Sequence, residues 1–178
     1  VLTGALAIAL VFFTWWQQLR HRRRMEETND ELRRSEEEAR RAFASLRESE
    51  EKFRLLFENT MDAIMFLDPQ TQKYVDCNEA AVKASKGGTR EWFLSQAVSK
   101  LSAEFQPDGT RSEEKLLRVI ANVLEKGPQR LEWTARRFTG EEFMVDALVM
   151  PIRIANRTLL VVVCRDITEK KRAEIEAD

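Results

Sequence analysis

Hydrophobic and polar positions follow different periods along this chain, and each period predicts a different element. Residues 1–16 carry no charged side chain, whereas Arg20 to Glu58 is dominated by arginine and glutamate. Within that charged stretch an apolar residue recurs at every seventh position, the spacing of heptad a positions in a coiled coil. The a positions are Met25, Leu32, Ala39, Leu46 and Phe53, and the d positions are Thr28, Ser35, Ala42, Ser49 and Leu56. The small d residues predict a weak parallel dimeric seam, and a lone charged helix or a flexible spacer is the alternative.

Short mixed elements follow Phe53. The predicted strands cover 62–68, 74–77, 130–138, 143–154 and 158–165, and the predicted helices cover 79–85, 90–101 and 112–125. Asn78 and Ser112 are the predicted N-caps of two of these helices. Two strands, a block of helices and three strands joined as hairpins predict an α+β domain with helices on one face of an antiparallel sheet. A pocket is expected between sheet and helices.

Composition and charge add a membrane segment to this picture. The chain has 178 residues, 43% hydrophobic and 33% charged, which suits one domain with extensions. The uncharged start, Trp15, Trp16 and the basic cluster 20–24 predict a transmembrane helix at 1–19. As a helix, residues 1–16 span only roughly 24 Å of a roughly 30 Å hydrocarbon core, so the start of the span is expected to be missing.

Five short motifs, in order, resemble those of the PAS sensor domains of bacterial signalling proteins. They are Ser49–Glu58, Asp62–Ile64, Asn78–Ala81, Gly140 in a late hairpin and Arg165–Lys171. The resemblance implies a PAS fold, with a five-stranded antiparallel sheet of order 2-1-5-4-3, helices on one face and a long N-terminal transmembrane and coiled-coil helix before it. The expected divisions are a transmembrane helix at 1–19, a cytoplasmic signalling coiled coil at 20–50, a PAS domain at 51–168 and the start of an output linker helix at 169–178.

The resemblance also implies a function. The chain is expected to be a membrane-anchored sensor and transmitter region in the bacterial inner membrane, with its PAS domain in the cytoplasm. It would relay a signal through dimeric helices to an output domain after Asp178, of histidine kinase or cyclic-dinucleotide enzyme type. A ligand-free dimerisation module is the alternative, and an enzyme of unrecognised type is a third hypothesis. The expected partners are a second copy, the membrane and an unknown small molecule, with no nucleic acid.

The chain itself is expected to have no catalytic or metal site, because its sequence lacks a Gly-rich phosphate loop, zinc-ligand spacing and a nucleophile elbow. No cofactor is identified either. The only histidine is His21, in the basic cluster, which argues against haem held by an axial histidine. Cysteinyl-flavin photochemistry is argued against because Cys77 precedes Asn78 at a strand end and lacks the Asn-Cys-Arg-Phe-Leu-Gln motif of the light-sensing members. Cys77 and Cys164 are expected to be core residues.

Strand alternation and helix phase give the candidate pocket residues. They are Asn78, Trp92, Phe105, Leu117, Trp133, Arg137, Val145, Ala147 and Val161. Trp133 or Arg137 is expected to offer a donor to an acidic or flat ligand, although core packing is the stronger interpretation of each apolar or aromatic residue. Asp166, Ile167 and Thr168 are expected to transmit the signal from the last strand to the closing helix. Asp166 and Glu169 are the predicted N-cap pair of that helix.

Overall fold

The computed structural model describes residues 2–177, and among these the side chains of 2–12, 14, 26–28 and 177 lie outside the description. The chain divides into two compact units, the first ending at Phe53 and the second beginning at Arg54. Helix α1 (Leu2–Asn59) runs through the first unit, and its last residues belong to the second.

In the first unit, every described side chain of α1 is exposed. The described large apolar residues at predicted a positions follow this rule, with exposed fractions of 59% for Met25, 57% for Leu32, 66% for Leu46 and 59% for Phe53. Ion pairs one turn apart, such as Lys52 with Glu48 at 2.7 Å, lie on the same solvated surface. Such exposed pairs stabilise a helix by only about 0.3–0.5 kcal/mol each. They involve charged residues, so they do not account for the apolar residue at every seventh position of α1. The coiled coil stays a prediction.

The predicted membrane span lies at the start of α1. In the part of the chain that the structure describes, no helix has both the length and the apolar character that crossing a membrane requires. Most side chains of the predicted span at 1–19 lie outside the description.

The second unit holds the folded domain. Its elements are β1 (Ala63–Asp68), β2 (Lys73–Cys77), α2 (Glu79–Ala84), α3 (Arg90–Ser95), a 3₁₀ helix (Val98–Leu101), α4 (Ser112–Lys126), β3 (Gln129–Arg136), β4 (Glu142–Ile154), β5 (Arg157–Asp166) and α5 (Thr168–Ala177). The strands form a five-stranded antiparallel sheet in the order β2-β1-β5-β4-β3. The predicted α+β class and the strand order that the resemblance implied are therefore confirmed.

The core lies on one face of this sheet. Leu67 pairs with Leu160 across β1 and β5, Val149 pairs with Val162 across β4 and β5, and all four side chains are buried. Helix α4 covers them with its buried residues Leu116, Val119, Ile120 and Val123. Burying a side chain of this size stabilises the fold by about 1.5–3 kcal/mol, so this layer is the main source of stability.

The predicted helix at 90–101 is wrong in its middle. Helix α3 ends at Ser95, and the backbone is extended at Gln96 and Ala97 before the 3₁₀ helix begins. Ala97 forms a β-bridge with Lys73, and the Val98 N–H donates to the Gln72 carbonyl at 3.2 Å. These bonds to the end of the β1–β2 turn and the first residue of β2 replace a helical turn. Local sequence periodicity does not predict them, because they join residues that are distant in the chain.

Ser112 is not an N-cap, contrary to the prediction. It is the first residue of α4, and the cap position belongs to Arg111, which makes no side-chain capping bond. The buried Ser112 hydroxyl instead donates to the Ala103 carbonyl at 2.6 Å and accepts from Gln106 Nε2 at 2.5 Å. Gln106 also accepts from the Thr134 N–H at 2.8 Å, so the two side chains fasten the loop before α4 to β3.

Asn78 caps α2 as predicted, and its side chain does more than cap. The residue is fully buried, and its Oδ1 accepts from the Ala81 N–H at 3.1 Å and the Ile64 N–H at 2.9 Å. Its Nδ2 donates to the Phe57 carbonyl at 2.9 Å and the Asp62 carbonyl at 3.0 Å. The full hydrogen-bonding capacity of the amide is used, and it joins the end of α1, β1 and α2.

Asn78→Asp is expected to lower the free energy of unfolding by about 3 kcal/mol or more at pH 7.5. The new carboxylate keeps both acceptor bonds but sets a charged oxygen against the Phe57 and Asp62 carbonyls. Burial and these carbonyls raise the native-state pKa of the new carboxyl group above its unfolded value, so stability is lost as the pH rises. Urea unfolding at pH 4.5 and 7.5 should therefore show the smaller loss at pH 4.5.

The matched control for this substitution is Asn156→Asp, in the exposed turn between β4 and β5. It is expected to change the free energy of unfolding by less than about 0.5 kcal/mol at either pH. A loss at Asn78 that is the same at both pH values would contradict the bracing role of its Nδ2.

Candidate functional site

A cavity of about 170 Å³ lies between the sheet and the helices, at the position where the sequence predicted a pocket. Its walls are mainly apolar side chains of β1, β3, β4, β5, α2 and α4. At one end it borders Met61, which is 97% exposed. The cavity therefore opens to solvent at the loop between α1 and β1.

Three of the predicted pocket residues line this cavity: Trp133, Val145 and Ala147. Trp133 was expected to offer its ring N–H to a ligand. That Nε1 donates instead to the Ser102 hydroxyl at 3.0 Å. Because an indole has one donor, Trp133 contributes shape and apolar surface to the cavity.

Leu117 and Val161 lie on the wrong faces of their elements for the predicted role. Leu117 is 54% exposed, because the buried stripe of α4 begins at Leu116 and continues at the third, fourth and seventh positions after it. Val161 pairs with Phe66 and Met150 on the outer face of the sheet. Its neighbours Leu160 and Val162 are the buried residues of β5 that face the cavity.

Three further candidates lie outside the cavity walls. Phe105 is 52% exposed in the loop before α4. Trp92 packs edge-to-face against Phe138, with ring centroids 4.9 Å apart. Asn78 is buried, but all its bonds go to the backbone, as described above.

The sequence interpretation missed five cavity residues that carry polar side-chain atoms: Tyr74, Ser85, Ser102, Arg136 and Cys164. Alternation from Leu160 would have identified Cys164. Tyr74 was hidden because the pairing of β1 with β2 shifts between Phe66 and Leu67, which places Tyr74 opposite Leu67. Ser102 follows a 3₁₀ helix that the sequence pattern did not separate from α3.

The two cysteines are free and belong to the core, as predicted. Burial raises the pKa of Cys77 to about 11 and that of Cys164 to about 12. Both are therefore protonated at neutral pH and are poor nucleophiles and metal ligands. Among the side chains that the structure describes, no three of histidine, cysteine, aspartate or glutamate come together in a group that could hold a metal ion.

Arg137 lies beside the cavity, outside its lining, with its side chain only 7% exposed. Its Nη1 donates to the Ala84 carbonyl at 2.6 Å, and its Nη2 donates to Asp166 Oδ2 at 2.8 Å. Its Nε lies 3.3 Å from Glu141 Oε2 without the alignment of a hydrogen bond, and its Cζ lies 3.8 Å from the centroid of the Phe143 ring. The guanidinium thus joins α2, the hairpin between β3 and β4, and the end of β5.

The predicted transmission residues Asp166, Ile167 and Thr168 lie against β4. The Ile167 N–H donates to the Met144 carbonyl at 2.9 Å, and the Met144 N–H donates to the Thr168 hydroxyl at 3.1 Å. Asp166 Oδ1 accepts from the Thr168 N–H at 2.9 Å, so Asp166 satisfies the first helical N–H. In the described part of the chain Glu169 makes no bond back to Asp166, and that half of the predicted pair is wrong.

Asp166 keeps its charge at neutral pH. Burial acts to raise its pKa, but the hydrogen bonds from Thr168 and Arg137 outweigh burial, and the pKa lies below its usual value. A carboxylate with a lowered native-state pKa stabilises the fold above its unfolded pKa, and this contribution is lost as the pH falls through the native value. The contact with Arg137 is therefore fully charged under physiological conditions.

Comparison with known proteins agrees with this architecture. A family model described as PAS domain matches residues 61–169. The methyl sulfide methyltransferase-associated sensor of Methanosarcina acetivorans is 25% identical over 131 residues, which are 74% of this chain and 12% of that protein. This chain therefore corresponds to only a small part of that relative's length.

Two solved structures share the fold. The PAS domain of an HTR-like protein from Haloarcula marismortui superposes with a TM-score of 0.60 at 20% identity, covering 72% of this chain and 99% of that one. A PAS domain from a two-component sensor histidine kinase gives a TM-score of 0.54 at 19% identity, covering 67% and 97%. With the five-stranded sheet and the family match over more than half of its residues, this chain belongs to the PAS domain family, whose members are sensory, non-catalytic modules.

Proposed function

We propose that this chain is the sensing and relay region of a larger signalling protein, in which changes at the cavity reach helix α5 and an output domain beyond it. Membership of the PAS family supports the sensing part. The observation that carries the relay part is the bridge that Arg137 makes between α2 and Asp166 at the end of β5, since Asp166 in turn accepts from the first N–H of α5.

Both ends of this bridge border the cavity. Ala84, whose carbonyl accepts from Arg137, lines the cavity, and so does Asp166, which accepts from the other guanidinium nitrogen. A ligand that displaces the α2 wall would therefore pull on the contact that holds the first turn of α5. Relay of this kind needs two arrangements that differ by a few kcal/mol and a ligand that prefers one of them.

The bridge has the strength that such a relay requires. Removing a partner from a buried ion pair costs about 3–5 kcal/mol, because a charge is left without compensation. Asp166 is 42% exposed, so solvent screens this pair and a cost of about 1–3 kcal/mol is the better expectation. This amount can bias the docking of one helix without unfolding the domain.

Helix α5 has few other contacts that hold it. Besides the bonds of Ile167 and Thr168 to Met144, Lys171 pairs with Glu132 at 2.8 Å, and the described side chains after Lys171 are exposed. The far end of α5 is therefore available to continue into an output element. A mechanical relay fits the family's non-catalytic role and requires no reaction within this chain.

A homodimer is part of the proposal. The exposed a positions of α1 would leave large apolar side chains in water on a lone helix, and a second copy would cover them. Half-buried Phe66, Val161 and Val163 on the outer face of the sheet give the PAS domain an apolar surface of its own. The same exposed seam favours the second candidate function, a dimerisation module without sensing.

The proposal extends to the whole protein. One relative is a sensor and one structural neighbour comes from a histidine kinase, which favours a kinase over a cyclic-dinucleotide enzyme as the output. We include anchoring in the bacterial inner membrane by residues 1–19, with the PAS domain in the cytoplasm. Its support is the uncharged run 1–16, which ends in Trp15 and Trp16 where an interfacial aromatic belt is expected, and the basic cluster 20–24, whose Arg20 guanidinium lies 3.8 Å from the centroid of the Trp16 ring.

Arg137→Gln is expected to lower the free energy of unfolding by about 1–3 kcal/mol and to speed hydrogen exchange at the Ile167 and Lys171 amides. The shorter neutral side chain cannot hold Ala84 and Asp166 together, so the first turn of α5 opens more often. Urea unfolding and amide exchange followed by NMR measure the two effects.

Arg130→Gln is the matched control, because it removes an arginine from β3, the strand that precedes Arg137, and the partner of this arginine is also an aspartate, Asp146. Arg130 is 73% exposed, so the expected loss is below about 1 kcal/mol, with unchanged exchange in α5. If both variants changed α5 exchange equally, the relay through Arg137 would be wrong.

Ala39→Cys is expected to form an intermolecular disulfide under mild oxidation, because Ala39 occupies an a position of the proposed seam. Ala44→Cys is the matched control: it replaces the same residue type, also exposed, at position f on the opposite side of the helix. Non-reducing electrophoresis should show dimer for the first variant and little for the second. Equal cross-linking at both positions would remove the heptad assignment and the dimer that depends on it.

A further inference from the structure

The chemistry of the cavity wall limits what the cavity can hold. Most of the lining is aliphatic, and the remainder includes the aromatic side chains Tyr74, Phe93 and Trp133. The Tyr74 and Phe93 rings stack with centroids 5.4 Å apart. A wall of this composition favours apolar ligands, and its ring edges and faces suit an aromatic one.

The charged side chains of the cavity wall are already paired with other side chains. The charged residues that line the cavity are Arg136 and Asp166. Arg136 pairs with Glu142 at 3.0 Å, and Asp166 pairs with Arg137 at 2.8 Å. A carboxylate or phosphate entering the cavity would lose its hydration without gaining an unpaired cation, which is strongly unfavourable.

Neutral polar groups in the wall are almost all satisfied. The Ser85 hydroxyl donates to the Val82 carbonyl at 2.7 Å, and the Ser102 hydroxyl donates to the Val98 carbonyl at 2.8 Å while it accepts from Trp133. The hydroxyl of Tyr74 differs: among the described residues it makes no hydrogen bond to a protein group, and it is not one of the atoms that are buried without a partner, so it keeps access to solvent. Burial, with the nearby Cys164 and Cys77, raises the pKa of Tyr74, so the hydroxyl stays neutral and can donate.

Size sets the last limit. An apolar cavity of about 150 Å³ in another protein stays dry and binds benzene. The cavity here, at about 170 Å³, is of the same order. It therefore has room for one small ring with a substituent.

We infer that the cavity binds a small neutral aromatic molecule of the phenol class, which carries one hydrogen-bonding group. Tyr74 recognises this group through its hydroxyl. The inference rests on the proposed sensing function. It departs from the acidic or flat ligand considered in the sequence analysis, where core packing was the stronger interpretation. The cavity discriminates against anions because the cation in its lining, Arg136, is already paired with Glu142.

Calorimetric titration of the whole chain with phenol, benzene and benzoate at pH 7.5 tests the ligand class. Phenol and benzene share size and ring, while benzoate adds a negative charge. Phenol is expected to bind about tenfold more tightly than benzene, the effect of one hydrogen bond, and benzoate is expected not to bind. Binding of benzoate as tight as that of phenol would overturn the inference, and so would absence of binding by all three.

Tyr74→Phe tests the recognising residue. This substitution keeps the ring that stacks on Phe93 and removes only the hydroxyl, so benzene affinity should be unchanged and reports that the cavity is intact. Phenol affinity is expected to fall about tenfold, to that of benzene. A preference for phenol that survives in the variant would overturn the role of Tyr74.

The two proposals fail in different ways. If phenol binds as expected but α5 exchange does not respond to phenol, the ligand class stands and the relay fails. If Arg137→Gln releases α5 as expected but only benzoate binds, the relay stands and the ligand class is overturned.

Discussion

A guanidinium group with almost no access to water must be neutralised by fixed partners, and Arg137 imposes this requirement on one end of the domain. Its partners come from three separate parts of the chain: the last turn of α2, the hairpin between β3 and β4, and the last residue of β5. None of these elements can move far without leaving the guanidinium charge unpaired in an apolar environment. The junction with α5 is therefore tied to the cavity wall by electrostatics as well as by packing.

Asn78 sets a second constraint at the other end of α2. Its amide holds the end of α1 and the first strand through hydrogen bonds to the Phe57 carbonyl and the Ile64 N–H. Asn78 thus fixes the start of α2 to the end of α1, and Arg137 fixes the end of α2 to the end of β5. Because α2 also lines the cavity, a displacement of this helix would act on both contacts, as the proposed relay requires.

Much of this architecture was predictable from the sequence because strand alternation and the Asn78 cap are local signals. The strand order came from the resemblance, since pairing between distant strands leaves no local mark. The prediction that Leu117 and Val161 line the pocket was wrong because each lies one position away from a buried neighbour. An error of one position in the helix or strand pattern places the side chain on another face. Tyr74 was missed because a shift in strand pairing re-aims its side chain. The paired state of the charges beside the cavity also depends on contacts between distant residues, which composition and spacing do not contain.

The relay through Arg137 is tested most directly by filling the cavity from the α2 side. Ala81→Leu adds volume to a buried cavity residue of α2, and NMR then follows the amide resonances of Ile167 and Thr168. We predict that these resonances shift in the chain with Arg137 and that the shift is lost when Arg137→Gln is added. Equal shifts in the presence and absence of Arg137 would contradict the account.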